Sequence, residues 1–342
     1  MSDQTRVLVY DGPNQMHIEE RPRPKPGRGE VALRMAYVGI CGSDLHGYTG
    51  ESGRRVPGMV MGHEASGWIE EVGDSVTGLS VGDPVTFNPS IPCDGRCGHV
   101  DENRCAELRV VGVTPDIQGA FADSVVVDAA RVVPLGKLDL ISGAMVEPMA
   151  VAFQTIERCG VVPGQDVLVV GGGMIGQCVA RAARIAGAGS VVISDAMEDR
   201  REHAELSGFR ALEPGEVDAL PAVDVAIDAV GISATADAAI RSVKKGGTVG
   251  FVGLGLAEIT IPLFEVVVPE RTIVGSFCYR DEVFESTVSA VASGEVDLKP
   301  LLGEVVAFDE AHHAFESLAN GEKKDLKILV ATGAERPVGE GE

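Results

Sequence analysis

The stretch DVLVVGGGMIG, residues 166–176, decides the fold of the second half of the chain. A run of strand-forming residues leads into Gly171, Gly173 and Gly176, which form a G-x-G-x-x-G motif at the start of a predicted helix. Glycines in this pattern allow a tight turn and let the backbone approach a pyrophosphate that sits on the helix N-terminus. The next predicted strand ends in Asp195, nineteen residues beyond Gly176. The whole unit therefore predicts a dinucleotide site rather than glycines that serve only helix packing.

The same unit predicts which dinucleotide is bound. The carboxylate of Asp195 would accept hydrogen bonds from the ribose hydroxyls and repel a 2′-phosphate, so we expect NAD as the cofactor. Arg200 and Arg201 have two interpretations, because they either flank the adenine or solvate a helix face. The expected cofactor contacts come from the glycine loop, the acidic residue and the ends of later strands: Gly171, Gly173, Met174, Ile175, Gly176, Asp195, Arg200, Val230 and Gly253.

The segments on either side of this stretch predict a chain of mixed α/β class. After the glycine loop a helix is expected to end at Gly187, and helices over 196–207 and 234–243 alternate with apolar strands. This alternation is typical of a doubly wound parallel sheet. The first 150 residues instead carry short strands separated by Gly and Pro, which predicts a β-rich, barrel-like domain. A helix over 281–292 and the strands after it are expected to rejoin that domain.

The charge and composition of the 342 residues argue against several functional classes. A formal net charge of −22 would be repelled by nucleic acids and by anionic membranes, so neither is expected as a partner. No apolar run reaches the length of a membrane span, and the first residues, MSDQTRVLVYDG, lack the pattern of a secretory signal. Seven cysteines, three of them within thirteen residues, favour metal ligation in a reducing cytoplasm over disulfide bonds.

The stretch GICGSDLHGYTG, residues 39–50, carries the first candidate for a metal site. Cys41 lies in it, His63 follows together with Glu64, and Glu147 comes just before the dinucleotide domain. Thiolate, imidazole and carboxylate are zinc ligands, and three protein ligands with an open position define a catalytic zinc site. Each residue also has a structural interpretation, with Cys41 in the core, His63 in a turn and Glu147 as a helix cap. The spacing alone leaves both interpretations open.

Six motifs in a fixed order favour the zinc interpretation. The sequences GICGSDLH, MGHEASG, NPSIPC, ENRC, VEPMAVA and VVGGGMIG resemble those of the zinc-dependent medium-chain dehydrogenase/reductase superfamily, and the resemblance covers about residues 5–331. Glu147 stands where alcohol dehydrogenases of that superfamily carry a cysteine, which is similar to the branch of sorbitol, other polyol and threonine dehydrogenases. The resemblance implies a GroES-like catalytic domain over 1–150, a Rossmann domain over 151–278 and a return to the catalytic domain over 279–333. The polar composition of residues 334–342, rich in Gly, Pro and Glu, predicts a disordered tail.

The resemblance also implies a ligand set and a reaction. Cys41 and His63 would bind a catalytic zinc, and Glu64 and Glu147 would be ligands that exchange with water or substrate. Zinc in such a site lowers the pKa of the substrate alcohol, so that an alkoxide forms near neutral pH. The hydride then passes to the nicotinamide, which carries it away.

Two further residues of the first motif acquire roles through the resemblance. Ser43 would contact the substrate hydroxyl, and His46 would pass its proton towards solvent. Taken alone, Ser43 is also a plausible cap of a helix over 44–48, and His46 is also a plausible surface residue. Tyr48 and Tyr279 are the remaining candidates for contact with the substrate.

The loop CDGRCGHVDENRC, which begins at Cys93, departs from the superfamily at its second zinc site. Members often hold a structural zinc there with four cysteines, whereas this loop keeps Cys93, Cys97 and Cys105 and is two residues shorter. Three thiolates would still hold zinc with Asp94 or His99 as the fourth ligand. The equal alternative is a loop that binds no zinc, and the sequence leaves the choice between these two alternatives open.

A second departure bears on the substrate. In SFCYRDEVF, Cys278 stands where the polyol branch commonly has an arginine that clamps polyol hydroxyls, so sorbitol itself is disfavoured. The predicted function is oxidation of a secondary alcohol (a polyol, sugar or cyclitol) to a ketone with NAD. The alternatives are a threonine or 2,3-butanediol dehydrogenase and, from another class, a metal-free quinone-reductase-like protein. The superfamily suggests a homo-oligomer, a tetramer rather than a dimer.

Overall fold

The computed structural model describes residues 3–337. Within them the chain forms two compact units. The first unit holds the residues up to Glu147 and those from Phe284 onward, and the second unit spans Pro148–Val283. Between residues 3 and 337 no helix is long and apolar enough to cross a membrane.

The tail predicted over 334–342 falls only partly within this range. Its last five residues, 338–342, lie outside the described residues. In the part before them, Arg336 Nε donates to the carbonyl of Gly82 at 2.9 Å, so this side chain contacts the first unit.

The elements of the first 159 residues are mostly short strands, as the frequent Gly and Pro predict. In chain order they are β1 (Gln4–Gly12), β2 (Gln15–Pro22), β3 (Glu30–Gly39), α1 (Gly42–Tyr48), β4 (Glu64–Val72), β5 (Pro84–Phe87), β6 (Ser90–Ile91), β7 (Arg109–Val110), β8 (Ser124–Asp128), β9 (Val132–Pro134), α2 (Leu140–Ala144) and α3 (Val146–Cys159). Short 3-10 turns lie at Glu102–Arg104 and Ala129–Arg131.

The elements that follow alternate between strand and helix. In chain order they are β10 (Asp166–Val170), α4 (Met174–Ile185), β11 (Ser190–Ser194), α5 (Glu198–Leu206), β12 (Arg210–Leu212), β13 (Val223–Asp228), α6 (Ser233–Ser242), β14 (Val243–Phe251), α7 (Leu263–Val267), β15 (Thr272–Gly275), α8 (Asp281–Ala292), β16 (Glu304–Ala307), α9 (Ala311–Ala319) and β17 (Ile328–Ala331). Further 3-10 turns lie at Pro214–Ala219, Lys299–Leu301 and Phe308–Glu310.

Strand β17 joins the end of the chain to its beginning in the first unit. The main sheet has the order β16-β17-β3-β4-β5-β9, and β8 also pairs with β3. β17 runs antiparallel to β3, with Leu329 opposite Gly39, and β3 runs antiparallel to β4, with Gly39 opposite Glu64. Apolar side chains such as Leu33 and Met35 fill the core beneath these strands. Three neighbouring strand ends therefore meet where Cys41 and His63 lie.

The second unit contains the parallel sheet that the alternating pattern predicts. Its strand order is β12-β11-β10-β13-β14-β15, and the described ladders are parallel. This is the 3-2-1-4-5-6 order of a Rossmann fold, so the predicted fold class is confirmed. The order reverses between β10 and β13, and sheets of this kind bind ligands beyond the carboxyl ends of the strands at that point.

The predicted elements agree with the observed ones where a periodic pattern was long enough. Helix α4 ends two residues before Gly187, which has φ of +85° and so ends the helix as expected. The helices predicted over 196–207, 234–243 and 281–292 are observed as α5, α6 and α8. Strand β12 and helix α7 were not predicted, because elements of three and five residues are too short to show a period.

Candidate active site

Cys41 lies between the end of β3 and the start of α1, where it is the N-cap of the helix. Its backbone amide donates to Asp44 Oδ2 at 3.3 Å, so it is Asp44 that accepts a bond at this helix start. Ser43 does not serve as the cap: its hydroxyl lies 3.4 Å from Cys41 Sγ and 3.5 Å from His63 Nε2. The interpretation of Ser43 as a helix cap was therefore wrong, because the helix begins earlier than expected, at Gly42.

Cys41, His63 and Glu64 form one cluster of possible metal ligands, which we call the strand-end cluster. One ligand atom from each residue lies within 4.8 Å of the others. The pairing of β3 with β4 places Gly39 opposite Glu64 and so brings the two sequence segments together. His63 and Glu64 are buried, whereas Cys41 and Ser43 keep contact with solvent.

Asp44 is the buried group that orients His63. Its Oδ1 lies 3.5 Å from His63 Nδ1 and 3.5 Å from Arg55 Nη2. Burial alone would lower the pKa of His63, but Asp44 and Cys41 raise it well above its usual value. Burial alone would raise the pKa of Asp44, but His63 and Arg55 lower it. The surroundings thus favour positive charge at this point.

These atoms fit a metal ligated by His63. Asp44 Oδ1 and His63 Nδ1 are buried and have no hydrogen-bond partner within normal distance among the described residues. A histidine that binds a metal through one ring nitrogen usually donates the other N–H to a carboxylate. Thiolate, imidazole and carboxylate are also the donor types that zinc prefers. The strand-end cluster therefore has the composition and the orienting carboxylate of a zinc site.

Two more charged residues lie beside this cluster. Glu147, in the first turn of α3, does not belong to the group of three that could share one ion. Lys327 is buried and donates to Glu64 Oε2 and, at 3.0 Å, to the carbonyl of Ile40. Burial alone would lower the pKa of Lys327, but Glu64, Cys41 and Glu147 raise it. Glu147 is thus within electrostatic reach of Lys327.

His46, Tyr48 and Tyr279 are the remaining site candidates of the sequence analysis. His46 is part-exposed on α1, and its Nδ1 lies 2.8 Å from Glu51 Oε2. Tyr48 is buried, with its hydroxyl 3.1 Å from His312 Nε2 and its ring packed against Phe315. Tyr279 is fully buried. Neither tyrosine presents an exposed surface in this structure.

The second cluster, which we call the loop cluster, consists of Cys93, Cys97, His99 and Cys105. One ligand atom from each of the four lies within 4.8 Å of the others. His99 Nδ1 is 3.1 Å from Cys97 Sγ and 3.7 Å from Cys93 Sγ, and the sulfurs of Cys97 and Cys105 are 3.6 Å apart. The contact with His99 lowers the pKa of the Cys97 thiol to about 6. Of the two candidates for a fourth ligand, His99 is in the cluster and Asp94 is not.

The glycine loop after β10 has the backbone that its sequence predicts. Gly171 has φ of +101°, a conformation that favours glycine, and a Cβ there would collide with Val230. A Cβ at Gly176 would collide with the carbonyl of Gly171, so only glycine lets α4 approach the loop this closely. Gly173 is the N-cap of α4. The loop therefore brings backbone groups to the helix start, where a pyrophosphate binds.

Asp195 is buried at the end of β11 and holds the glycine loop. Its Oδ2 accepts from the amide of Gly172 and its Oδ1 from that of Met197, each at 2.7 Å. Arg200 Nη1 lies 3.4 Å from Asp195 Oδ2. Arg201 instead donates to the carbonyl of Asp195 at 2.9 Å, so Arg201 braces the strand end.

Val230 and Gly253 lie at the point where the strand order reverses. Asp228, at the end of β13, accepts from the amides of Val230 and Gly231 at 2.8 and 2.9 Å. A Cβ at Gly253 would collide with the backbone of Val230. Burial raises the pKa of Asp228, which the sequence analysis did not single out. The predicted residues Gly171, Val230 and Gly253 are thus neighbours.

Comparison with known proteins gives matches to both units. Residues 27–137 match the model of the alcohol dehydrogenase GroES-like domain, and residues 174–293 match the model of the zinc-binding dehydrogenase family. A probable D-xylulose reductase A from Aspergillus terreus is 35% identical over 355 residues, which cover 97% of this chain and 99% of that protein.

Solved structures give the same result. A putative zinc-binding dehydrogenase from Sinorhizobium meliloti, bound to NADP, is similar with a TM-score of 0.89 and 28% identity, over 96% of this chain and 100% of that one. The 2R,3R-butanediol dehydrogenase of Bacillus subtilis is similar with a TM-score of 0.87 and 28% identity, over the same shares of the two chains.

Proposed function

Because the chain belongs to the zinc-dependent medium-chain dehydrogenase/reductase superfamily, in its polyol dehydrogenase branch, we propose that it oxidises a polyol, sugar or cyclitol with NAD. The reaction converts a secondary alcohol into a ketone, with transfer of a hydride to the nicotinamide and release of one proton. The observation that carries the proposal is the position of the Ser43 hydroxyl, within 3.5 Å of both Cys41 Sγ and His63 Nε2.

The proposed zinc ligands are Cys41 and His63, with Glu64 and Glu147 as ligands that exchange with water or substrate. The mutual approach of the first three and the orienting carboxylate of Asp44 support this assignment. Zinc bound at such a site would supply a Lewis acid, which lowers the pKa of a substrate alcohol. The same cluster argues against a metal-free quinone-reductase-like protein, in which these ligand types have no role.

The residues of the chain itself then handle the proton. Ser43 lies between two of the proposed ligands, so its hydroxyl can accept the proton of a substrate hydroxyl while it gives up its own. His46 lies one helical turn later on α1, part-exposed and paired with Glu51, and it can release that proton to water. Cys41 fixes the start of this helix, so metal ligand, proton acceptor and exit lie on one short element.

We propose NAD rather than NADP as the preferred cofactor. Asp195 is held in place by two backbone amides at the end of the second strand of the dinucleotide fold, where a carboxylate opposes a 2′-phosphate. Arg200, which lies 3.4 Å from that carboxylate, is the residue that would favour NADP. Comparing kcat/KM for NAD and NADP tests the proposal. Asp195→Ala is expected to reduce the ratio of kcat/KM for NAD to kcat/KM for NADP. A wild-type protein that prefers NADP would overturn the proposal.

The substrate class has one alternative within the same superfamily. The similarity to 2R,3R-butanediol dehydrogenase favours a small diol, and a threonine dehydrogenase would use the same proposed ligands. The named relative, a D-xylulose reductase, favours a polyol and its ketose. Formation of NADH with vicinal diols, sugar alcohols and amino alcohols separates these substrate classes. Activity confined to threonine or butanediol would contradict the polyol assignment.

We propose that the loop cluster holds a second, structural zinc. Cys93, Cys97 and Cys105 supply three thiolates, and the position of His99 supports its role as the fourth ligand in place of the missing cysteine. A Cys₃His set is one of the usual compositions of structural zinc sites. The metal content of the purified protein is then expected to be two zinc ions per chain.

We also propose that the chain forms a homo-oligomer through the edge of its parallel sheet. Strand β15 is the last strand in that sheet, and the segments beside it expose large apolar residues, among them Phe264 at 83%. A second copy can pair with the same edge about a two-fold axis, which covers both patches at once. The resulting dimer would be the unit from which a tetramer assembles.

The seven free thiols support the expectation of a reducing cytoplasmic location.

Light scattering during chromatography tests the oligomer proposal. Phe264→Glu is expected to shift the protein towards the monomer, because it places a charge among the exposed apolar residues beside β15. Leu206→Glu is the matched control, since Leu206 is equally exposed but lies on α5. A monomeric wild-type protein would contradict the proposal.

A further inference from the structure

A buried lysine reaches the strand-end cluster from a strand that is not adjacent to Glu64. Lys327 immediately precedes β17, which pairs with β3, and β3 separates β17 from β4, where Glu64 lies. Its Nζ nevertheless donates to Glu64 Oε2 and, at 3.0 Å, to the carbonyl of Ile40, the residue before Cys41. Both partners of the ion pair are almost completely buried, so water screens the contact very little.

Gly39 makes this contact possible. It lies opposite Leu329 of β17 on one side and opposite Glu64 of β4 on the other. A Cβ at this position would collide with the Glu64 carboxylate and would lie in van der Waals contact with the side chain of Lys327. The middle strand thus carries a residue without a side chain at the place where the lysine crosses it. The pair is therefore part of the architecture of the sheet.

The charge of Lys327 acts on the proposed zinc ligands as a group. Glu64, Cys41 and Glu147 all interact electrostatically with it. With no metal bound, an ammonium there offsets the repulsion among these groups. With a divalent cation bound, the same ammonium repels the cation and occupies one oxygen of the Glu64 carboxylate. Both effects favour the metal-free site relative to the loaded one.

We infer that Lys327 is a positioning residue that competes with the metal for Glu64 and so keeps this carboxylate exchangeable. The inference rests on the proposed function, because it takes the strand-end cluster as a zinc site. When a buried carboxylate dissociates from a metal and has no other partner, it becomes an unpaired buried charge, which is strongly unfavourable. Lys327 is such a partner and already contacts Glu64 Oε2, so the carboxylate can leave the metal when a substrate oxygen arrives.

Replacement of Lys327 by an uncharged side chain of similar length tests the competition. Zinc affinity is measured on the full-length protein by titration against a chromogenic chelator. The binding that Cys41→Ser loses in this titration is assigned to the strand-end cluster. Lys327→Met is expected to bind zinc about tenfold more tightly, a typical size for groups next to the ligands. Its zinc-induced rise in thermal midpoint is expected to exceed that of wild type, whereas its kcat falls. Lys327→Arg keeps the cation and is expected to bind zinc like wild type.

A second background shows whether the effect passes through Glu64. In Glu64→Gln the amide no longer competes as an anion, so adding Lys327→Met is expected to raise zinc affinity by less than it does in the wild-type background, because only the repulsion between the ammonium and the cation is then removed. Lys327→Gln keeps an N–H donor for Ile40, and it serves as the test variant if Lys327→Met does not fold. A purely structural lysine would lower the midpoints of metal-free and zinc-loaded protein equally and leave zinc affinity unchanged, and that outcome overturns the inference. Absence of zinc from wild type would instead contradict the proposed function.

Discussion

The strand-end cluster and the loop cluster offer similar ligands but are built in opposite ways. Cys41, His63 and Glu64 come from adjacent strand ends, and buried groups from elsewhere in the unit contact them. The loop cluster comes from one stretch of thirteen residues, whose contacts are mainly its own backbone and sulfurs. A sheet holds its ligands in place whether or not a metal is present, whereas a loop of this kind depends on the metal for its order. We therefore expect chemistry at the first cluster and stabilisation at the second.

The largest effect is expected from Cys41→Ser. The proposed zinc ligand is lost, so NADH formation should fall to background and one of the two expected zinc ions should be missing from the metal analysis. The thermal midpoint should fall only by the rise that zinc at this cluster induces in wild type, because the strands around Cys41 keep their pairing. Cys97→Ser is the matched control, since it makes the same change in the loop cluster and should keep turnover. Full activity with full zinc in Cys41→Ser would remove the distinction between the clusters.

Ser43→Ala is expected to have the next largest effect, on kcat alone. Loss of a positioned proton-transfer group typically lowers kcat by about 10²–10⁴-fold. Zinc content and NAD binding should stay near wild type. The midpoint should also be unchanged, because Ser43 is not the cap of α1.

His46→Ala is the comparison variant for this prediction. Because His46 is part-exposed, water can replace it, so its loss should cost less than that of Ser43 and added imidazole should restore part of the rate. If kcat of Ser43→Ala equals that of wild type, the hydroxyl between Cys41 and His63 has no part in proton transfer.

Asp44→Asn sharpens the comparison, because Asp44 is the buried carboxylate beside His63 of the strand-end cluster. The amide cannot offer His63 Nδ1 the same charge, so zinc affinity or kcat/KM should fall by about 10–100-fold, as is typical for partners of a ligating histidine. The measurement is a chelator titration together with steady-state kinetics. Asp94→Asn, the same change at an exposed position of the loop that carries the loop cluster, is the control and should leave both quantities unchanged. An Asp44→Asn variant with wild-type zinc affinity would show that His63 needs no such partner.

Local sequence patterns predicted the parts of the molecule that are built locally. The glycine loop, the parallel sheet and the class of fold follow from short motifs and from the alternation of strands with helices. The proposed ligands Cys41, His63 and Glu64 were recognised through the resemblance of their motifs to the superfamily, because their spacing alone left a structural interpretation open.

What could not be predicted depends on contacts between distant segments. Lys327 lies 263 residues after Glu64, and no local pattern distinguishes it from other lysines. Asp44 was overlooked although it follows Cys41 by three residues, because its effect on His63 depends on how two strands pair. The choice between His99 and Asp94 likewise needed the path of the loop, since both are near Cys97 in sequence.

The smallest effect on activity, and the sharpest test of the comparison, is expected from His99→Ala. Zinc content should fall from two ions to one, while kcat/KM stays within about twofold of wild type, because the loop cluster shares no ligand with the strand-end cluster. If the metal cross-link contributes about 3 kcal/mol, as a disulfide of similar loop length does, the thermal midpoint should fall by roughly 6–12 °C. Asp94→Asn separates the two candidates for the fourth ligand, since it should change neither zinc content nor midpoint. Loss of one zinc in Asp94→Asn but not in His99→Ala would make Asp94 the fourth ligand. A wild-type protein with a single zinc would leave the loop cluster without a metal and its three thiols without the role proposed for them.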